Sequence, residues 1–221
     1  MSSGLLRNSF SNFFAGVIPA IATLITVPVV VSHLGAVQYG IFLLLTSIVG
    51  YFSVLDINAS AGSMKYLAEY HAQGESTLAA QVITCGALIY LVIGIIGAVA
   101  LFGGAGWVLD RFFEVPAALR ATTVHALQIG AVAFIFGQMQ AYLTSVPQAL
   151  LRYDISARYE SIFGVLVSVS TMAVVLAGGD LISIMLARLV ISMANCGLLI
   201  AAIRTLVPHF EFRLQIGRAH V

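Results

Sequence analysis

The sequence predicts an all-α membrane protein with six transmembrane helices, and three observations carry that expectation. Of its 221 residues, 60% are hydrophobic and only 9% are charged, against about 45–50% and about 25% in soluble domains. Ten basic and nine acidic side chains cannot clothe the surface of a soluble chain this long, and the mean hydropathy is +1.03. The charges are also spaced so that long empty intervals remain, each able to hold at least one span of about 20 residues. A net charge of +1 gives no basis for a nucleic-acid partner, because phosphate recognition needs a concentrated basic face.

The charge-free intervals place the elements in order. Arg7 to Asp56 carries no Lys, Arg, Asp or Glu and is too long for one span, so it holds two. Ser32-His33-Leu34-Gly35 reads as the turn between a first helix at 11–31 and a second beginning near Tyr39. Pro19 and Pro28 imply a kink in the first helix, tolerable where neighbouring helices satisfy the freed carbonyls. The interval from Glu75 to Asp110 predicts a third helix at 78–101, ended by Gly103-Gly104-Ala105-Gly106 with Trp107 as an interfacial anchor. Arg120 to Arg152 predicts a fourth at 123–146, and Glu160 to Asp180 a fifth at 161–177. Gly178-Gly179-Asp180 is a tight turn into a sixth at 181–203. Orientation follows from the loop cations. With the N-terminus cytoplasmic, Arg7, Lys65, Arg152, Arg158, Arg204 and Arg213 lie inside and only Arg111 and Arg120 outside. The first helix is too long for a signal-peptide core and lacks a small-x-small cleavage pattern, so it is kept as a span.

An ionised side chain in hydrocarbon is expensive, about 2.5–3.5 kcal/mol on insertion scales, so each one needs a reason. The uncharged tract 189–203 is too short to span, and the sixth helix must therefore include Arg188. Arg188 reads either as a cation facing a water-filled cavity and an anionic substrate group, or as a side chain snorkelling to headgroups or pairing with Asp180. Asp56 reads as a cavity carboxylate that couples an ion or hydrates a sugar, or as an interfacial helix cap. The fourth helix carries Gln128, Gln138, Gln140, Tyr142, Thr144 and Ser145, and the first carries Asn8, Asn12, Thr23 and Thr26. Such neutral groups suit sugar hydroxyls in a lumen and equally suit hydrogen bonds between helices. His33, His71 and His125 stand alone, so no metal site is expected. Cys85 and Cys196, in separate apolar runs, read as small buried hydrophobes. No nucleophile–base–orienter set and no phosphate loop occurs, so neither an enzyme nor a cofactor is expected.

The last six residues, Ile216-Gly217-Arg218-Ala219-His220-Val221, look foreign. Reverse-translated as ATC GGA AGA GCA CAC GTC, they match a widely used sequencing-library adapter. The expectation is a native six-helix lobe over residues 1–215, an adapter read-through over 216–221, and a missing C-terminal lobe.

Several segments together resemble a known family. They are Arg7-Asn8 through Phe13, then Pro28, then Leu34-Gly35-Ala36-Val37-Gln38-Tyr39-Gly40-Ile41. Gly50-Tyr51-Phe52-Ser53-Val54-Leu55-Asp56 and Lys65-Tyr66-Leu67-Ala68-Glu69 follow, and then Pro147-Gln148-Ala149-Leu150-Leu151-Arg152-Tyr153-Asp154. In order and spacing this resembles the Wzx-type polysaccharide (O-antigen repeat-unit) flippases, of the superfamily that holds the MATE multidrug exporters and lipid II flippases. The resemblance implies one lobe of a two-lobe, MATE-like transporter in a bacterial cytoplasmic membrane. Its substrate would be an undecaprenyl-diphosphate-type lipid-linked oligosaccharide, with other polysaccharide assembly proteins as candidate partners. Arg188 would then meet the diphosphate, with Arg152 at the cytoplasmic mouth, and Gln138, Gln140 and Asn12 would meet sugar hydroxyls. A multidrug or cation antiporter using Asp56, a lipid II flippase and a non-transporting scaffold for glycan assembly remain open alternatives.

Overall fold

The computed structural model of the chain describes residues 2–53 and 59–207, with side chains described over 16–50 and 60–207. Asp56 and the adapter-like tail 216–221 lie outside the described residues. The described chain forms six helices and no strand: α1 (Ser2–Ser53), α2 (Ala59–Ala72), α3 (Ser76–Phe112), α4 (Ala117–Ala149), α5 (Tyr153–Leu176) and α6 (Leu181–Leu206). Five of them, all except α2, are long and apolar enough to cross a membrane. The protein is an all-α, multi-pass membrane protein. Helix is the form such a chain must take, because it satisfies every backbone N–H and C=O within its own segment.

The five helices and the six expected spans are reconciled at Gly35. There the backbone turns to φ 76, ψ 162 inside α1, a conformation essentially reserved for glycine. Residues from both arms, Pro19 to Val30 and Tyr39 to Thr46, line one cavity. In a straight helix Pro19 and Thr46 would stand about 40 Å apart, so the arms fold back on one another and α1 is a hairpin. Pro19 and Pro28 both keep helical backbone angles, so the break falls at the glycine and not at either proline.

Each of the other expected spans lies in a longer helix than the charges suggested. α3 has 37 residues and so runs for about 55 Å, past a hydrocarbon layer of about 30 Å. Gly103, Gly104 and Gly106 lie inside it and do not end it. Trp107 remains exposed, edge-on to Phe112 at 5.6 Å between ring centroids. α4 and α5 begin earlier than the charges suggested, at Ala117 and Tyr153, because Arg120 and Glu160 can sit within helix ends. A bidentate pair between Arg120 and Asp110, at 2.8 and 2.6 Å, ties the start of α4 to the end of α3. Asp180 caps α6 by accepting hydrogen bonds from the Ser183 amide at 2.9 Å and its hydroxyl at 2.7 Å.

Packing sets the helix directions. Thr23 meets Ser168 at 3.1 Å, and a Cβ at Gly164 would lie 2.7 Å from the Pro19 ring, so the first arm of α1 runs parallel to α5. Gly86 faces Tyr142, while Gly97 faces Phe134, so α3 and α4 are antiparallel neighbours at close approach. One core joins both arms of α1 to α3, α4 and α6 through Val30, Leu45, Leu101, Leu127, Phe134 and Ile184. A second packs Leu67 of α2 against Ile83, Tyr90, Leu143 and Leu199. Tyr142 belongs to that core, donating to the Val82 carbonyl at 3.2 Å, and does not face a lumen. Cys196 is buried and donates to the Phe136 carbonyl at 3.2 Å, whereas Cys85 is exposed on the helix surface rather than buried as expected.

Candidate functional site

Between the two arms of α1, α5 and α6 lies a cavity of about 460 Å³, and Arg188 stands in its wall. A second, of about 310 Å³, opens between the second arm, α4 and α6. Thr46, Arg188 and Ser192 belong to both walls, so Arg188 stands on the partition common to the two chambers. A third space of about 330 Å³ shares Gln140 and Glu160 with the first and Gly137 and Ala141 with the second, and extends to Gln148 near the end of α4. The three spaces therefore adjoin through shared lining residues, from Arg188 to Gln148 near the α4–α5 connection.

Arg188 reaches this place because α6 carries Arg188, Ser192 and Asn195 at i, i+4 and i+7, one stripe of a helix that is otherwise apolar from Ile184 to Ile203. Its guanidinium lies 5.3 Å from the centroid of the Phe42 ring on the second arm, within cation–π range. Among the described residues no carboxylate pairs with it. The pairing with Asp180 that the sequence left open does not form, since Asp180 is engaged with Ser183. Those two hydrogen bonds hold the Asp180 carboxyl below the usual carboxylate range.

The other expected site residues divide. Gln138 lines the second chamber and Gln140 the first, so both join Arg188. Gln138 is 2% exposed and its side-chain nitrogen has no hydrogen-bond partner. Arg152 is not brought to the cavity. It lies exposed in the α4–α5 connection, paired with Asp154 at 3.1 Å, which raises its affinity for its proton. Asn12 lies on α1 with its side chain outside the described part, and Asp56 is outside altogether. Gln128 sits beside His125 at 3.3 Å, away from all three spaces.

Three residues of the site were missed from the sequence. Glu160 faces the first and third spaces from α5; as the charge that bounded an interval, it was placed outside the helix. Asn195 is 2% exposed with its side-chain oxygen unpartnered, and Ser192 lies between it and Arg188. Their i, i+4, i+7 spacing from Arg188 was the available signal. Among the described residues no group of His, Cys, Asp and Glu could hold a metal ion.

Chemically the site offers one cation, one carboxylate and a set of amides and hydroxyls within spanning helices. This can bind and orient a polar ligand at depth. Among the described residues no nucleophile–base pair for covalent chemistry lines the site. No protein-family model, no curated protein and no solved structure matches this chain at a significant level.

Proposed function

We propose that this protein is a flippase for lipid-linked oligosaccharides, passing a polyprenyl-diphosphate glycan from the inner to the outer leaflet of a bacterial cytoplasmic membrane. One observation carries the reading: Arg188, a cation with no carboxylate partner among the described residues, stands in the wall of a cavity between spanning helices whose otherwise largely apolar lining also holds Gln140, Ser192 and Asn195. A diphosphate and its sugars cannot enter hydrocarbon unaided, whereas a guanidinium in a cavity wall supplies a binding site for the anion. Gln138 and Gln140 supply hydrogen-bonding groups beside it. The polyprenyl chain can remain in lipid, and the resemblance to two-lobe flippases adds rocking of one lobe against another as the means of alternating access.

The direct test is complementation in cells whose own flippase is depleted, reading lipid-linked intermediates on each leaflet. Wild-type protein is expected to restore surface polysaccharide, and Arg188→Ala to leave the intermediate trapped inside. Normal surface polysaccharide with Arg188→Ala would overturn the proposal. Glu160 in the same cavity favours a second reading, a cation antiporter. That reading requires drug or cation efflux abolished by Glu160→Gln and indifferent to Arg188→Ala.

A further inference from the structure

Resting on the flippase reading, we infer that the chamber between the arms of α1, α5 and α6 reads the hydrogen-bond donors of the first sugar, with Asn195 and Glu160 as specificity-determining residues. They select neutral, hydroxyl-rich sugars over acidic ones. The argument begins with the hydroxyls that line the chamber. A hydroxyl has one proton to give and two lone pairs to offer. Thr26 gives its proton to the Ala22 carbonyl at 2.8 Å and Thr171 to Val167 at 2.7 Å, while Thr23 and Ser168, 3.1 Å apart, share their two protons among each other and the Pro19 and Gly164 carbonyls at 2.9 and 3.2 Å. Thr46 gives its proton to its own helix, toward Phe42 and Leu43, at 3.1 and 2.9 Å. What Thr26, Thr46 and Thr171 leave for an occupant is acceptor capacity.

The stronger groups point the same way. The Asn195 side-chain oxygen has no partner although the residue is 2% exposed. A buried acceptor left unsatisfied is costly, and a native structure that keeps one needs a reason for it. Glu160, an acceptor only when ionised, faces the same chamber. In the second chamber, whose wall also holds Arg188, the buried Gln138 nitrogen is an unpartnered donor. The first chamber therefore sets two acceptors, Asn195 and Glu160, in the same wall as the Arg188 guanidinium, and the second adds the Gln138 donor. A ligand that matches is anionic at one end and rich in O–H or N–H at the other. A carboxylate on the sugar would meet Glu160 and the Asn195 oxygen without a proton to share, and like charges at close range are strongly disfavoured.

Binding can be measured on the protein in nanodiscs with three probes: geranylgeranyl diphosphate, and the same lipid carrying glucose or glucuronic acid. The two sugars differ only in a hydroxymethyl against a carboxylate. The wild type is expected to bind the glucose probe about tenfold more tightly than the bare diphosphate and the glucuronate probe about tenfold more weakly than the glucose probe, the scale of one hydrogen bond involving a buried or charged group. Asn195→Leu should erase the advantage of the glucose probe over the bare diphosphate. Glu160→Gln, isosteric and on an exposed residue, should fold normally and relieve the penalty against glucuronate. Equal binding of all three probes, with both variants like wild type, overturns this inference while leaving the anion-binding role of Arg188 intact. No binding of the bare diphosphate, or binding unaffected by Arg188→Ala, overturns the flippase reading and this inference with it.

Discussion

The Arg188 guanidinium lies 5.3 Å from the centroid of the Phe42 ring, and this contact joins α6 to the second arm of α1 across the wall of the cavity. Phe42 is itself buried in the core shared by α1, α3, α4 and α6. The ring thus gives the cation a fixed backstop without neutralising it, which a carboxylate partner would do. A cation held this way keeps its full charge for an incoming anion. Phe42→Leu retains an apolar side chain but removes the π face. It is expected to weaken geranylgeranyl diphosphate binding by about two- to fivefold, the value of a partly exposed cation–π contact. Arg188→Lys should weaken it as well, because an ammonium cannot stack or fork its donors. Titration of both variants in nanodiscs checks this, and unchanged affinity in Phe42→Leu would reduce the ring to packing.

The approach of α1 to α5 rests on a glycine. A Cβ at Gly164 would lie 2.7 Å from two atoms of the Pro19 ring, a rigid side chain that cannot swing aside. Gly164→Val is expected to destabilise the protein by about 1–3 kcal/mol, the ordinary range for overpacking. Gly137 on α4 has nothing within 4 Å of its would-be Cβ, so Gly137→Ala should be neutral or stabilising by up to about 1 kcal/mol. Thermal unfolding of the two variants in one detergent checks the contrast. Equal melting temperatures would mean that the first arm is not held against α5 as described.

Much of the fold was legible because the membrane writes it plainly. Intervals between charges located every spanning segment, and the Ser32–Gly35 turn was readable from polarity and glycine. What failed was the use of charges as helix ends. Arg120 lies inside α4, where it reaches Asp110, and Glu160 lies inside α5, where it faces a cavity. A long side chain at a helix end can find water or a partner without the helix stopping, and one-dimensional spacing does not register that. The site was half legible for the same reason. Arg188, Gln138 and Gln140 stood out by polarity, but polarity could not say that Tyr142 on the same helix would turn into the core. Asn195 was hidden in an apolar run, and only its helical phase with Arg188 marks it.

Gly35 makes α1 a hairpin, and its role can be tested by adding a side chain. At φ 76, ψ 162 any L-residue is strained, by about 1–3 kcal/mol, while no neighbouring atom lies within 4 Å to add a clash. Gly35→Ala is therefore expected to cost about that much in unfolding free energy and to loosen the fold-back. A cysteine pair at positions 27 and 43, both on the first cavity, reports it: oxidative cross-linking should be efficient with Gly35 and reduced in the Gly35→Ala variant. Equal cross-linking and equal stability would show that the turn does not depend on the glycine.

The start of α6 places Arg188, and Asp180 sets that start. Its carboxylate accepts from the Ser183 amide and hydroxyl, which satisfies a free N–H of the first turn and places negative charge at the helix N-terminus. Asp180→Ala is expected to cost about 1 kcal/mol at neutral pH, and Asp180→Asn much less, since an amide oxygen can still cap. The pH dependence follows from the sign of the shift. The folded-state carboxyl lies below its ordinary value of 3.8 because the Ser183 amide, then its hydroxyl, favour the ionised form. Its contribution is therefore complete above the unfolded-state value and is lost as pH falls through the folded one. Denaturant unfolding at pH 7 and at pH 3 should show the gap between wild type and Asp180→Ala narrowing at the lower pH. A gap of the same size at both would mean that the carboxylate does not act as the cap, and that the position of Arg188 is fixed by its contacts with α1 alone.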